Sequence, residues 1–511
     1  MIAKIFQNDT ITEVTLPDIS VEPNGSTECT AYEYGTILAN AIATVYEKNK
    51  PATIEVWNDT TILHTLVTAQ GEEGLYLTDR VPGGMRPGIA FTKRTERIPD
   101  HYLILVDPAR NINKSYKTSD LGAGEWGATT GDIGAKQGFG RRSRNVVVPK
   151  THPDYMFGIR IMEKLMEGYQ DKSECHSVKI IRKKNTESDV SGIPDEVVAE
   201  LIERLMRFAE MAIQENYTVS YTDVTEAMIK QAHDALNAMR SSQTLEEFNK
   251  NLLNLMHIIP RNIDRKKGVR GMLAAVTKDY ASILIREAEL LDIMEGQIHI
   301  AGDGEKPGEN LLERLGLEVE VATDEQTSAV KERLNDSLKT KLKRVYRVKN
   351  LRTQTQFDNY IKDHQTADGK DPEVKMFWHG SRNANWFSIM QKGLLLNPDA
   401  MITGKMFGNG VYFAPQSLKS WGYTSAGKWT GESQNTAIMA LYATAYGTPH
   451  EVYSFSGSWN GFNYQRLQKE YPGCDCVHAK ADKGMLLNDE IIFYREDQMA
   501  IQYLCEFDLT K

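Results

Sequence analysis

The spacing of apolar residues changes twice along this 511-residue chain, and this change constrains the fold more than any other feature. Between residues 190 and 300 apolar residues recur at spacings of three and four, which is typical of amphipathic helices. The pattern predicts a helix over 193–217, one capped by Thr225, one that ends before Pro260, and one over 280–294. Residues 190–308 are therefore predicted to form an all-α helical bundle.

Segments on both sides of these helices have β-like patterns. Residues 1–94 contain two short strand candidates and one helix candidate, which predicts a small α/β module of unknown role. Residues 95–175 include the strand HYLILVD and many glycines, which predicts a β-rich module. After the glycine-rich break that ends at Gly308, alternating segments at 317–321 and 342–348 predict an α+β domain over 309–511. The fold class is multidomain α+β.

Composition narrows the class of protein further. The chain is 41% hydrophobic and 25% charged, which is ordinary for globular proteins and argues against a disordered or collagen-like chain. No apolar run reaches the roughly 20 residues that span a bilayer, and the first residues lack a signal-peptide pattern, so we expect a soluble intracellular protein with no membrane partner. The five cysteines form no CxxC pair, and we expect neither a disulfide scaffold nor a metal site.

Two charged or glycine-rich segments invite functional interpretations that the sequence does not favour. Gly122-Ala-Gly-Glu-Trp-Gly127 matches GxGxxG, but it neither follows an apolar strand nor opens a helix, so a dinucleotide site is not expected there. The segment 338–352 carries seven Lys and Arg residues and no acid. A solvated strand face is the favoured interpretation of this segment, and an anion-binding surface is the alternative.

Three separated motifs carry the chemistry: Phe377-Trp-His-Gly-Ser-Arg382, Gly404-Lys-Met-Phe-Gly-Asn-Gly-Val-Tyr-Phe-Ala414 and Asn488-Asp-Glu-Ile-Ile-Phe-Tyr494. Each places a polar side chain at the edge of a short apolar strand: His379, Tyr412 and Glu490. Taken singly, each could be a core histidine, a packed strand aromatic or an exposed strand residue. Together, three such groups can line one cleft formed by three strands.

In this order the motifs resemble the catalytic domain of the poly(ADP-ribose) polymerases, which are NAD ADP-ribosyltransferases with a His-Tyr-Glu triad. The resemblance implies a C-terminal ADP-ribosyltransferase fold of split β-sheets. The helical segment also resembles that family's regulatory helical domain, including Ile258-Ile-Pro-Arg261. Residues 95–175 resemble the WGR domain through Trp126-Gly127, although Ala128 replaces the arginine that names it.

The resemblance assigns NAD as substrate and gives roles to individual residues. His379 would bond the adenosine ribose, Gly380 and Ser420 would bond the nicotinamide amide, and Tyr412 and Tyr423 would stack on the nicotinamide ring. Three further residues match positions around the cofactor: Ser381, Asn385 and Lys419. The family needs no metal for this chemistry, because the protein itself opposes the positive charge that develops at the ribose.

The acidic residue Glu490 favours polymer synthesis, since family members limited to one ADP-ribose commonly lack an acid at this position. Its carboxylate would hold the ribose 2′-OH and polarise an incoming hydroxyl. Two alternatives stay open: a mono-ADP-ribosyltransferase, and a DNA-binding protein with a catalytically silent transferase domain. Protein acceptors, with the chain itself among them, are the expected second substrates.

The order of domains predicts activation by DNA breaks, with the helical domain restraining the active site until DNA binds. Trp126 is a candidate stacking contact with DNA, and Arg141, Arg142 and Arg144 are candidate phosphate contacts. The net charge of −9 excludes only a uniformly basic binder. The expected location is the nucleus in a eukaryote and the cytoplasm in a bacterium or for a virus.

The sequence also departs from the family pattern at the cofactor site. Gly393-Leu-Leu395 lacks an arginine that is frequent in the family, and Lys405 stands where a donor-loop tyrosine is frequent. A phosphate or adenine contact is therefore expected to be missing, with the Lys405 cation as its electrostatic substitute. The segment between Tyr453 and Glu490 differs in sequence and is somewhat shorter, so the acceptor-side contacts are not predicted.

Overall fold

The structure is a computed structural model that describes most of the chain. The residues outside this description are 18, 72–73, 108–111, 133–149, 174–189, 191, 220, 222–223, 264–266, 301–308, 397–405, 429, 431–433, 455–458, 460, 482–485 and 511. The chain divides into two compact units. The first contains Met1–Lys179 and Pro260–Met272, and the second contains Ile180–Ile259 and Leu273–Lys511.

The first unit is built mainly from strands. Its helices are α1 (Ala31–Ile42) and α2 (Phe157–Met166). Its strands are β1 (Ile2–Gln7), β2 (Thr10–Thr15), β3 (Ser26–Thr30), β4 (Thr53–Asn58), β5 (Thr61–Gly71), β6 (Gly74–Thr78), β7 (Ala90–Thr92), β8 (Tyr102–Asp107), β9 (Ile112–Gly122), β10 (Glu125–Asp132), β11 (Lys150–Pro153) and β12 (Gln170–Asp171).

These strands form two five-stranded sheets and one short pair. The first sheet has the order β2-β1-β4-β5-β6, the second has the order β11-β10-β9-β8-β12, and β3 pairs with β7. Helix α1 begins at a capping box in which Thr30 and Glu33 satisfy each other's backbone N–H groups. Helix α2 serves both apolar cores, because Ile159 packs in the core of the first sheet and Phe157 in that of the second.

The GxGxxG segment is a hairpin turn between β9 and β10. Gly122 pairs with Glu125, and the two residues between them, Ala123 and Gly124, both have positive φ, as a two-residue type I′ turn requires. The segment therefore connects two antiparallel strands.

Trp126, the expected stacking contact with DNA, does not present its ring to solvent. Its side chain is completely buried, and its Nε1–H donates to the Pro153 carbonyl at 3.0 Å. The ring stacks on His152 and meets Phe157 edge-on. The physical reason is that β10 turns this side chain toward the apolar core of its sheet. The expected phosphate contacts Arg141, Arg142 and Arg144 lie outside the described residues.

The second unit begins with four helices that match the apolar stripes of the sequence. They are α3 (Glu196–Asn216), α4 (Glu226–Ser241), α5 (Leu245–Ile258) and α6 (Tyr280–Ile300). Asp195, Thr225 and Thr244 cap the first three, each accepting backbone N–H groups of the first turn. The predicted N-cap at Thr225 is therefore confirmed.

The rest of the second unit is a mixed α/β region. Its helices are α7 (Leu311–Arg314), α8 (Asp324–Glu332), α9 (Asp336–Lys339), α10 (Leu351–Asp363), α11 (Trp386–Lys392), α12 (Ser417–Trp421) and α13 (Tyr464–Glu470). Its strands are β13 (Leu317–Val321), β14 (Leu342–Asn350), β15 (Val374–Gly380), β16 (Val411–Phe413), β17 (Thr436–Ala445), β18 (Pro449–Val452), β19 (Cys476–Ala479), β20 (Glu490–Phe493) and β21 (Met499–Asp508).

Two sheets organise this region. The larger has the order β13-β14-β21-β17-β15, and the smaller has the order β16-β20-β19-β18. One apolar core joins them to helix α3: Leu201 and Leu205 pack in the same cluster as Phe413 and Ile491. Helix α3 thus buries its apolar stripe against the catalytic strands as well as against other helices.

The basic segment 338–352 behaves as a charged strand face. Most of it is β14, and three of its cations pair with carboxylates: Lys343 with Glu506, Arg347 with Glu320, and Lys349 with Glu318. Neighbouring strands therefore supply the counter-charges, which favours the solvated face over an anion site. Within the described part of the chain, no helix has the length and apolarity to cross a bilayer.

One arginine ties the second sheet of the first unit to the start of α2. Arg94 pairs with Asp120 at 2.5 Å and with Asp154 at 2.6 Å, and both carboxylates are almost completely buried. The Arg94 guanidinium holds the pKa of the Asp120 carboxyl below its usual value, whereas burial raises the pKa of Asp154. Arg94 is thus in close contact with both buried carboxylates, whereas Arg97 lies 3.8 Å from Asp120.

We expect Arg94→Ala to lower the free energy of unfolding of the first unit by about 3–5 kcal/mol, because it leaves two buried carboxylates without their cation. Chemical denaturation measures this loss. The control is Glu13→Ala, which breaks an exposed pair with Lys4 and should cost less than about 1 kcal/mol. Equal losses in the two variants would contradict the role given to Arg94.

Candidate active site

The candidate site lies where the two sheets of the second unit meet. Strand β15 of the larger sheet and the end of β16 in the smaller sheet form a short bridge between Trp378 and Ala414. Two backbone hydrogen bonds of 2.9 and 3.0 Å hold this bridge. It places His379, which follows Trp378 directly, beside the strand that carries Tyr412.

His379 is oriented by the backbone of the neighbouring strand. Its Nδ1 lies 3.0 Å from the Tyr412 carbonyl, which can only accept, so Nδ1 carries the proton. In the neutral imidazole Nε2 is then an acceptor, the role needed to bind a ribose hydroxyl. Trp386, Phe413 and Tyr442 surround the ring. The site thus fixes both the tautomer and the orientation of this histidine.

Gly380 lies against the helix that carries Ser420. A Cβ at this position would overlap the Ser420 carbonyl oxygen, so no other residue fits without a shift of the backbone. The Ser420 hydroxyl is buried and donates to the Trp378 carbonyl at 2.8 Å. Its expected donation to a nicotinamide amide therefore requires the hydroxyl to rotate away from this carbonyl.

Tyr412 is held by its phenol oxygen, which leaves its ring as the group that can face a ligand. The hydroxyl donates to the Gly408 carbonyl at 3.0 Å and accepts from the Phe407 N–H at 2.9 Å. Burial raises the pKa of this phenol, so it stays neutral. A neutral, fixed ring is suited to stacking on an aromatic ligand.

Glu490 forms the most tightly paired charge of the site. It is the first residue of β20, is 6% exposed, and pairs with the Lys419 ammonium of α12 at 2.5 Å. A buried carboxylate is costly without a partner, and the Lys419 ammonium is the partner of Glu490. An anion is thereby fixed inside the cleft.

Tyr423 is a partly exposed residue whose phenol interacts electrostatically with Lys419 and Glu490. Its side chain is 46% exposed, and it follows the short helix that carries Lys419 and Ser420. Burial of part of the ring raises the pKa of the Tyr423 phenol, Lys419 lowers it, and Glu490 raises it. Glu490 also raises the pKa of Tyr412, so both tyrosines lie within range of this carboxylate.

Ser381 and Asn385 come together just after β15, at the same end of the strand as His379. The Asn385 amide donates to the Ser381 hydroxyl at 2.9 Å, while its Oδ1 is buried without a hydrogen-bond partner. An orphaned buried acceptor is costly and is usually satisfied by a ligand or water. Asn385 thus leaves an unsatisfied acceptor close to the end of β15 that carries His379.

Two ion pairs of this region were not predicted from the sequence. Arg382, in the same motif as His379, pairs with Glu289 of helix α6 at 3.0 Å. The two residues are 93 positions apart, and no local pattern marks them as partners. Lys392, at the end of α11, similarly pairs with Glu295 of α6 at 2.5 Å.

Other expected contacts remain predictions. Lys405 lies outside the described residues. Its expected role in place of a missing pyrophosphate contact therefore stays a prediction. Among the residues that the structure describes, no group of three or more His, Cys, Asp and Glu side chains is arranged to hold a metal ion. The structure describes all three residues of the predicted triad. They lie at the junction of the two sheets: His379, Tyr412 and Glu490.

Comparison with known proteins agrees with this geometry. The poly(ADP-ribose) polymerase catalytic domain matches residues 322–509. A poly(ADP-ribose) polymerase-like protein of Invertebrate iridescent virus 6 is 30% identical over 168 residues, which is 32% of this chain and 83% of the viral protein. Poly(ADP-ribose) polymerase 2 of Zea mays is 31% identical over 150 residues, which is 25% of this chain.

Human poly(ADP-ribose) polymerase 2 is 42% identical over 78 residues, which is 15% of this chain. The match spans most of the viral protein but only 22% of the maize protein and 13% of the human one. The region matched by the catalytic-domain family, residues 322–509, contains His379, Tyr412 and Glu490. The chain belongs to the poly(ADP-ribose) polymerase family, and residues 322–509 are its catalytic domain, that of an NAD ADP-ribosyltransferase.

Proposed function

We propose that this protein transfers ADP-ribose from NAD to protein acceptors, releases nicotinamide, and elongates the product to poly(ADP-ribose). The observation that carries the proposal is the buried Glu490 carboxylate, which pairs with Lys419 at 2.5 Å at the start of β20, the strand that pairs with the strand of Tyr412. An acid at this position is the feature that separates elongation from the transfer of a single ADP-ribose.

The residues divide the work between binding and charge stabilisation. His379 accepts from the adenosine ribose, the Gly380 backbone binds the nicotinamide amide, and the Tyr412 ring stacks on the departing nicotinamide. As the bond to nicotinamide breaks, positive charge develops on the ribose, and the fixed Glu490 carboxylate opposes it. Glu490 also accepts from the ribose 2′-OH and then polarises the incoming hydroxyl.

Helix α6 is the element best placed to restrain this cleft. Its Glu289 pairs with Arg382, and its Glu295 pairs with Lys392, so two ion pairs connect α6 to the segment that follows His379. Gly296 of α6 also packs closely on Ser388 of α11. We therefore assign residues 190–308 as a regulatory helical domain that limits access of NAD in the resting protein.

Activation by DNA breaks would release this restraint. The support for it is the family and the domain order of a WGR-like module at 95–175 before the helices. Trp126 is buried and offers no stacking face, so any DNA contact of this module must use other residues. Arg141, Arg142 and Arg144 remain the proposed phosphate contacts. We propose intracellular action, nuclear in a eukaryote and cytoplasmic otherwise.

Two alternatives are distinguished by the reaction products. A mono-ADP-ribosyltransferase would give acceptors with one ADP-ribose each, whereas a catalytically silent DNA-binding protein would release no nicotinamide. The intact His379, Tyr412 and Glu490 favour turnover, and the acid at 490 favours elongation. Incubation with NAD labelled in its adenylate, with and without nicked DNA, separates all three outcomes on a gel.

We expect Glu490→Gln to lower polymer formation by about 100-fold or more, because the amide keeps the shape of the side chain and loses the charge that strengthens in the transition state. Binding of NAD should change little. The control is Glu451→Gln, which alters an exposed pair with Lys480 on the same sheet. Polymer of normal length and amount from Glu490→Gln would refute its assigned role.

We expect His379→Ala to raise the KM for NAD and to lower kcat/KM, because the lost ribose contact is made in both the ground state and the transition state. Steady-state kinetics of nicotinamide release measures both constants. His364→Ala is the matched control, since His364 stacks on Tyr360 in the same domain and has no assigned role. An unchanged KM in His379→Ala would count against the ribose contact.

We expect Glu289→Lys to raise the DNA-independent rate by about threefold to tenfold, because it replaces the ion pair with Arg382 by repulsion and shifts the opening equilibrium by about 1 kcal/mol. A point substitution is preferable to removing residues 190–308, since removal would expose the apolar core around Leu201. The control is Asp234→Lys, which disrupts an exposed pair with Lys230 on α4.

Both variants are assayed with and without nicked DNA after circular dichroism has shown that they are folded. A DNA-independent rate in Glu289→Lys equal to that of the unmodified protein would remove the restraint by α6. A rate of the unmodified protein that does not respond to nicked DNA would remove the DNA switch, whatever the variants show.

A further inference from the structure

Three side chains with no assigned role form a hydrogen-bonded chain that ends beside Glu490. The Tyr446 hydroxyl lies 2.8 Å from Nδ1 of His478, and Nε2 of His478 lies 2.8 Å from the Asp489 carboxylate. Tyr446 is 5% exposed and His478 is 7% exposed. Buried polar groups that are fully paired in this way hold their surroundings in one arrangement.

The direction of each hydrogen bond follows from the end groups. The Asp489 carboxylate only accepts, so Nε2 of His478 carries the proton and Nδ1 accepts from the Tyr446 hydroxyl. Burial lowers the pKa of the His478 imidazole, which keeps the ring neutral. Burial opposes the ionisation of Asp489, but the Ala481 N–H and His478 lower the pKa of its carboxyl overall. A neutral imidazole therefore joins a phenol to a carboxylate.

These hydrogen bonds between Tyr446, His478 and Asp489 join the two sheets of the catalytic domain. Tyr446 directly follows β17, the strand whose Ala440 pairs with His379. His478 lies in β19 of the smaller sheet, and Asp489 is the residue before Glu490. The hydrogen bonds thus run from the sheet that carries the ribose-binding histidine to the residue next to the catalytic carboxylate.

Glu490 needs such an anchor because it stands at the end of its strand pairing. Strand β20 has four residues, and the pair of Glu490 with Ala479 is the last one in its register with β19. Asp489 holds the chain just before this point with a second bond, from the Ala481 N–H to Oδ1 at 2.9 Å. These two bonds hold the residue that directly precedes Glu490.

We propose that Tyr446, His478 and Asp489 are positioning residues that fix the Glu490 carboxylate relative to His379. The inference rests on the proposed role of Glu490 in transfer and elongation. None of the three residues is proposed to contact NAD. Their contribution is to hold the carboxylate where the positive charge develops, and a displacement of about 1 Å can cost about 100-fold in rate.

Asp489 offers a conservative variant that separates positioning from charge. In Asp489→Asn, Oδ1 can still accept from the Ala481 N–H while the amide N–H donates to Nε2 of His478. The imidazole then carries its proton on Nδ1 and donates to the Tyr446 oxygen, so all three bonds survive and only the two bonds of His478 reverse direction. Asp489→Ala removes both bonds.

The experiment measures kcat and KM for nicotinamide release and the amount of polymer in the full chain. We expect Asp489→Ala and His478→Phe to lower kcat by about tenfold to 100-fold. The KM for NAD should stay within about twofold, since His379 and Gly380 are untouched. Asp489→Asn should recover kcat to within about threefold of the unmodified protein.

The control is Tyr360→Phe, which removes a hydrogen bond of 3.0 Å to Asp475 in the same domain. Asp475 lies just before β19, at the opposite end of that strand from Ala479. This substitution removes a tyrosine–aspartate bond, and a bond from Gln498 to the same hydroxyl, that lie outside the Tyr446–His478–Asp489 series, so kcat should be unchanged.

Three results would overturn the inference: a kcat in Asp489→Ala within twofold of the unmodified protein, equal losses in Asp489→Asn and Asp489→Ala, or an equal loss in Tyr360→Phe. If Asp489→Ala does not fold, Tyr446→Phe decides, with at least a threefold loss of kcat expected and an unchanged kcat contradicting the inference. Glu490→Gln is assayed in the same series. Normal polymer from that variant would refute the proposed function itself, independently of the positioning residues.

Discussion

The pairing of the Glu490 carboxylate with the Lys419 ammonium is the interaction on which the rest of the site depends. A carboxylate that is 6% exposed is costly unless a cation and hydrogen-bond donors satisfy it. Lys419 supplies the cation from a five-residue helix, α12, which follows β16 closely in the chain. The charge that catalysis requires is thus held in place before any substrate binds, which is the condition for electrostatic preorganisation.

The catalytic groups come from two sheets, so their separation depends on how those sheets are joined. The Trp378–Ala414 bridge, the bond from His379 to the Tyr412 carbonyl and the Tyr446–His478–Asp489 chain all cross this junction. The apolar core that includes Leu201 of α3 lies behind the same strands. Helices before the catalytic domain therefore contribute both to its stability and, through α6, to contacts beside the cofactor site.

The sequence predicts what depends on local patterns and misses what depends on long-range packing. The helix capped by Thr225 and the strand Leu317–Val321 were predicted because caps and alternation are local signals. The motifs around His379, Tyr412 and Glu490 led to the family for the same reason. The burial of Trp126 was not predicted, because only the strand pairing of β10 reveals which face of that strand is buried. Arg382 and Glu289 lie in separate elements, and the residue pattern of neither element indicates that the two side chains form an ion pair.

The central claim is that the preorganised Glu490 carboxylate converts NAD binding into transfer and elongation. The most direct measurement follows the unmodified full-length protein with NAD carrying separate labels in nicotinamide and adenylate, and compares nicotinamide released with adenylate bound to protein. The account predicts nearly equal amounts of the two, with protein-bound adenylate resolving into a ladder of polymer lengths. Nicotinamide release without protein-bound adenylate, or a single ADP-ribose per acceptor at all times, would contradict it.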